Sequence, residues 1–123
     1  MDNNQKLGRI ISIFFKLEQT LKIVHWTTES HAVHETTQYM IDNLRPLFDD
    51  LVEETIGSGY ATGITPAEIS FTPSATINLE SYLQEFMVFM GKDEISKMSH
   101  NETTIADIIK VIHKGLYKLS HKT

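Results

Sequence analysis

Of the 123 residues, 41% are hydrophobic, enough for one buried core, so a single helical-bundle domain spanning 1–123 is expected. The absence of cysteine excludes disulfide frameworks, thiolate metal sites and cysteine nucleophiles, and a formal net charge of −5 argues against a broad nucleic-acid surface. No apolar run approaches the roughly 18 residues that span a bilayer, and Met1-Asp2-Asn3-Asn4 lacks a signal-peptide layout, so a soluble, cytoplasmic protein without membrane association is expected.

From about Gln5 to Glu29, Leu7, Ile11, Phe14, Leu21 and Val24 recur at the spacing of a helix that buries one stripe. A second helix is predicted over about 31–56, with Thr37, Met40, Ile41, Leu44, Phe48, Leu51 and Val52 facing the core and Gly57 as its stop. Pro46 lies inside it and predicts a kink, or a break near Arg45. Residues 57–78 hold half of the six glycines, two of the three prolines and many Ser and Thr, and read as one long connection. Leu79, Tyr82, Leu83, Phe86, Met87 and Met90 then mark a third helix over 79–90. Asn101 to Thr104 offer cap residues for a fourth over 102–120, with Ile105, Ile108, Ile109, Ile112, Leu116 and Leu119 at steps of three and four.

Polar residues interrupt these stripes where carbon is expected. The seam of the first helix reads Ile11, Phe14, Glu18, Leu21, His25, which places a carboxylate and an imidazole among apolar neighbours, a costly position unless each is paired. On the second helix Asp49 and Glu53, and likewise Asp50 and Glu54, stand four apart, where like charges repel unless a cation lies between them. His25, His31 and His34 fall within ten residues, and imidazole is a frequent ligand of zinc, iron, copper and nickel. A solvated acidic face and hydrogen-bonded core histidines are the structural alternative. No Gly-rich phosphate loop and no nucleophile elbow is present, and no organic cofactor is expected.

Two long helices, a long crossover and two shorter helices fit the ferritin-like version of the all-α four-helix bundle, in which the long connection lets helices two and three run parallel. The segment His25-Trp26-Thr27-Thr28-Glu29-Ser30-His31-Ala32-Val33-His34, followed by Asp49-x-x-x-Glu53, resembles the metal-site half of the Dps-type miniferritins. It is similar, more closely still, to small Dps-like proteins of bacteriophages and large DNA viruses, over about residues 15–57. In Dps-type proteins a histidine beside a tryptophan, a second histidine and an aspartate–glutamate pair form an iron-oxidising site between two subunits. The resemblance implies that His25, His34, Asp49 and Glu53 are metal ligands, with iron, or another divalent ion such as zinc, as the metal and ferroxidase activity as the chemistry. Gln38 stands where the family carries a further carboxylate, the gap between the histidines is shorter than the family's, and its basic tail is absent, so neither a twelve-subunit cage nor DNA protection is implied.

At about 100° per residue, Asp49 stands about 60° and Glu53 about 100° around the second helix from His34. They share a side but not a line. A two-fold dimer that brings these carboxylates to a partner's histidines is therefore the economical geometry, and a homo-oligomer, at least a dimer, is expected. The competing reading is a non-enzymatic helical protein that acts by binding a host or viral protein, with Trp26 anchoring the helix turn and Met87, Phe89 and Met90 offering a soft apolar cluster. A small-ligand pocket between the helices is a third.

Overall fold

The computed structural model describes residues 1–67, 71–92, 95 and 98–121. Among them are four α-helices and no strand: α1 (Asn3–Thr27), α2 (His31–Gly57), α3 (Leu79–Met90) and α4 (Glu102–Ser120), the last entered through a short 3-10 turn, Ser99–Asn101. None of these helices is long and apolar enough to cross a membrane.

Local chemistry explains where the helices begin. The Asp2 carboxylate accepts from the Gln5 backbone N–H at 2.8 Å while the Gln5 side chain accepts from the Asp2 N–H at 2.8 Å. This reciprocal capping box starts α1 at Asn3, two residues before the expected start near Gln5. At the other end Thr28 turns to extended backbone, and Ser30 caps α2 by accepting from the Val33 N–H at 3.2 Å, so Glu29 belongs to the turn and not to the helix.

The break expected near Arg45 does not occur, and α2 is continuous through Pro46. Proline costs the helix one hydrogen bond, to the carbonyl of Asp42, and both residues are exposed, so water can replace the missing donor. Packing of the opposite face, with Leu44, Phe48 and Leu51 buried, holds the helix together across it.

Contacts at the two ends of the bundle fix its topology. Asn101 and Thr104, at the start of α4, bond to Thr55 and Glu54 at the end of α2 (2.7 and 2.6 Å). Leu119, at the end of α4, and Leu79, at the start of α3, share a cleft with Val24, Thr28 and Val33 at the opposite end. Phe89 and Lys92, closing α3, border a cleft with Arg9 and Ile13 of α1. Thus α1 and α4 run one way, α2 and α3 the other, and the connection 58–78 must travel the length of the bundle.

That connection is laced to the outside of α1. The Asn3 side chain donates to the Tyr60 carbonyl at 2.8 Å, the Asn4 side chain accepts from the Thr62 N–H at 2.9 Å, and the Thr65 N–H donates to the Asn4 carbonyl at 3.2 Å. Gly8 permits this approach, because a methyl group there would collide with the Thr65 carbonyl. Further on, Phe71 lies beside Ile23 and Trp26.

Within the core the Phe14 and Phe48 rings stack with centroids 4.1 Å apart, and Phe86 meets Phe14 at 5.9 Å. Met40 of α2 fills the space that Gly115 leaves on α4. Five buried hydroxyl residues, Ser12, Thr20, Thr36, Thr37 and Thr55, each donate to the carbonyl four residues earlier, which is how helix-borne hydroxyls are tolerated there. Of the two readings of the soft cluster, core or partner surface, the core one fits, with Phe89 and Met90 buried and Met87 half-buried against them. Charge is divided along the chain: all sixteen Asp and Glu lie in residues 1–107, and residues 108–123 carry four lysines. Lys114 and Lys118 sit over the Tyr39 ring at 5.0 and 4.3 Å near the C-terminus of α4, where the helix dipole favours cations.

Candidate metal centre

The turn 28–30 is only three residues long, so the last turn of α1 faces the first turn of α2 at close range. His25 and His34 meet across this junction, their rings stacked with centroids 3.9 Å apart and 21° between planes. The His25 Nδ1 lies 3.0 Å from the His34 carbonyl oxygen, and the His34 Nδ1 lies 3.0 Å from the His25 carbonyl oxygen. A carbonyl can only accept, so each Nδ1 carries the proton. In the neutral rings both Nε2 atoms are consequently left with their lone pairs free. This is the tautomer that metal-binding histidines adopt when a backbone carbonyl holds their other nitrogen.

The four residues expected to bind metal fall into two halves. Asp49 and Glu53 lie 15 and 19 residues beyond His34 on one continuous helix, about 22 and 28 Å along its axis. Among the described residues of one chain, no three His, Cys, Asp or Glu side chains gather to hold an ion. His31 takes no part in the pair; it is exposed and bonds to Glu35 at 3.0 Å. Glu54 is committed elsewhere, accepting from the Thr104 hydroxyl.

Asp49 and Glu53 border a groove of ≈ 460 Å³ between α1 and α2. Its floor and sides are apolar, formed by Ile11, Phe14, Phe48 and Val52 together with Phe15 and Ile64, which are 52% and 50% exposed. Ile11 and Val52, assigned to the core by periodicity, are in fact half-buried walls of this groove. One wall carries a fixed ion pair: Arg45 donates to the Glu18 carboxylate at 3.0 and 3.2 Å, and Lys22 approaches the same oxygen at 3.4 Å. The half-buried carboxylate that looked costly on the α1 seam is therefore paired.

Trp26 does not anchor the helix turn. It is 72% exposed, because the ring lies on the outer side of α1, away from α2. Sequence reasoning placed Thr37 simply in the core and gave Phe15 and Ile64 no role. Thr37 sits three residues after His34, a spacing that returns it to the same side of α2, and this was the signal available.

In comparisons with known proteins, no family model, no curated protein and no solved structure matches this chain. Its class rests on its own helices and residues: an all-α protein of four described helices with two cross-bonded histidines at one end and an acidic-rimmed apolar groove between its two longest helices.

Proposed function

We propose that this chain is a ferritin-like, metal-binding bundle akin to the Dps-type miniferritins, working as a homodimer in which His25 and His34 of one subunit and Asp49 and Glu53 of the other hold the ion. The observation that carries this reading is the histidine pair, whose two free Nε2 atoms are set by backbone carbonyls before any ion arrives. Parallel α2 and α3 joined by a crossover along the bundle support the ferritin-like class.

The dimer is supported by two further features. The carboxylates stand too far along α2 to reach their own subunit's histidines, and beside them lies an exposed apolar groove of the kind that association covers. A two-fold axis crossing α2 midway between His34 and these carboxylates, near Asp42 and Asn43, would bring the Asp49 and Glu53 of each subunit level with the other's His34. Imidazole nitrogen with carboxylate oxygen suits iron and zinc, and iron is the substrate that the resemblance implies, with oxidation of ferrous iron as the activity.

The test is to purify the protein without an affinity tag, measure bound metal by elemental analysis, and add Fe(II) in air while following ferric absorbance and subunit mass. Stoichiometric iron and ferric formation, both lost in His34→Ala and Glu53→Ala, are the expected results. No metal above trace and no ferric signal would leave the groove at Phe15 and Ile64 as the functional feature, and with it a non-enzymatic helical protein that binds a protein or small-ligand partner.

A further inference from the structure

Thr37 makes the contacts of a residue that serves the histidine pair as well as the core. It is fully buried, and its hydroxyl lies 2.9 Å from the Val33 carbonyl oxygen, 3.0 Å from the His34 carbonyl oxygen and 3.1 Å from the His25 Nδ1. A hydroxyl has one proton, and the two carbonyls can only accept it. What Thr37 presents to His25 is therefore a lone pair, and the partner of that lone pair must be an N–H. Two acceptors, the Thr37 hydroxyl and the His34 carbonyl, thus converge on one nitrogen of His25. His34 Nδ1 has a single acceptor, the His25 carbonyl.

We propose that Thr37 is a positioning residue for the metal centre, holding His25 in the Nδ1–H tautomer so that its Nε2 is permanently available, and making His25 the anchoring ligand of the pair. This inference rests on the reading of the pair as a metal site. It follows from the asymmetry: a ring held by two acceptors at one nitrogen gains little by moving its proton to the other, whereas a ring held by one acceptor switches more readily. Residues that orient a ligating histidine through its second nitrogen change metal affinity by about 10–100-fold when removed. Thr37 reaches His25 from the neighbouring helix, so it also ties the ligand on α1 to the rigid first turns of α2.

The experiment uses the whole protein with Co(II) as the probe, read by its visible absorption and by competition with Zn(II), in wild type, Thr37→Val, Thr37→Ser and His25→Ala. Metal-free samples are followed in parallel by long-range nitrogen–proton correlation spectra, which report the tautomer of each imidazole. Expected are a loss of about 10–100-fold in Co(II) affinity in Thr37→Val with a shift of His25 towards the Nε2–H tautomer, recovery of both in Thr37→Ser, and loss of binding in His25→Ala. If Thr37→Val does not fold, Thr37→Ala is measured in its place with the same expectation. Equal affinity and an unchanged His25 tautomer in the variant without the hydroxyl would overturn this inference alone. Failure of the wild type to bind Co(II) would overturn the metal reading and this inference together.

Discussion

His25 and His34 each donate from Nδ1 to the other's carbonyl oxygen, both at 3.0 Å, while their rings stack face to face. The arrangement closes the α1–α2 junction with side chains instead of with a longer loop. It also satisfies the carbonyl of His25, which lies in the last turn of α1, where intrahelical partners run out. The same two bonds that brace the turn leave both Nε2 atoms unprotonated in the neutral rings, so bracing the turn and the proposed metal-binding role of the pair are not alternatives.

Substituting Gly8 by alanine tests the path of the crossover. The new methyl group meets the Thr65 backbone, which cannot swing aside as a flexible side chain would. A destabilisation of about 1–3 kcal/mol is expected, the usual cost of overpacking, seen as a lower urea midpoint with little change in slope. An unchanged midpoint would mean that residues 60–65 do not lie against α1 in solution.

At the junction of α2 and α4, Asn101 is buried with its Nδ2 donating to the Thr55 hydroxyl at 2.7 Å and its Oδ1 without a partner among the described residues. Thr55→Val removes the acceptor and strands the amide completely, so about 1–3 kcal/mol of stability should be lost in equilibrium unfolding. The double variant Thr55→Val with Asn101→Leu should recover part of that loss, since replacing both partners leaves no orphaned polar group. Identical stability of the single and double variants would contradict the buried contact.

Phe15→Glu addresses the groove. Phe15 is half-exposed, so the subunit should keep its fold and melting behaviour, while a fourth carboxylate beside Glu18, Asp49 and Glu53 opposes the approach of a second copy. Sedimentation velocity should show the dissociation constant of the proposed dimer raised at least about tenfold, equivalent to about 1.4 kcal/mol. Undiminished self-association would assign the dimer to another face.

Tyr82 supplies a pH test. Burial raises its hydroxyl pKa above the ordinary tyrosine value, with the charge of Glu85 pushing the same way and a hydrogen bond with the Thr20 side chain opposing. The folded protein therefore holds this proton more tightly than the unfolded chain does. The associated stability is fully present below the unfolded tyrosine value, about 10, and is lost as pH rises through the higher folded value. Tyr82→Phe should flatten this alkaline decline in thermal melts; an identical decline in wild type and variant would count against it.

Much of the fold is legible in the residues. Helical period lives in windows of a few turns, and the stripes around Phe14, Phe48, Phe86 and Ile108 mark the four helices because each needs one apolar face to bury. The ends are legible where caps are local, as at Asp2 and Ser30. Pro46 misleads because the cost of a proline depends on whether the carbonyl it orphans faces water, and only the packed bundle decides that. For the same reason Ile11 and Val52 read as core while they line an open groove: period tells which face is apolar, not what covers it.

The candidate site divides along the same line. The sequence by itself determined the chemical donors and their helical spacing, because these are properties of residue type and of 1.5 Å and 100° per residue. Only the tertiary structure decided that His25 and His34 stack across a three-residue turn, that Thr37 reaches the first of them, and that Asp49 and Glu53 lie apart on the rim of a groove. Those relationships join residues on different helices, and they exist only once side-chain packing has chosen how α1 and α2 face each other.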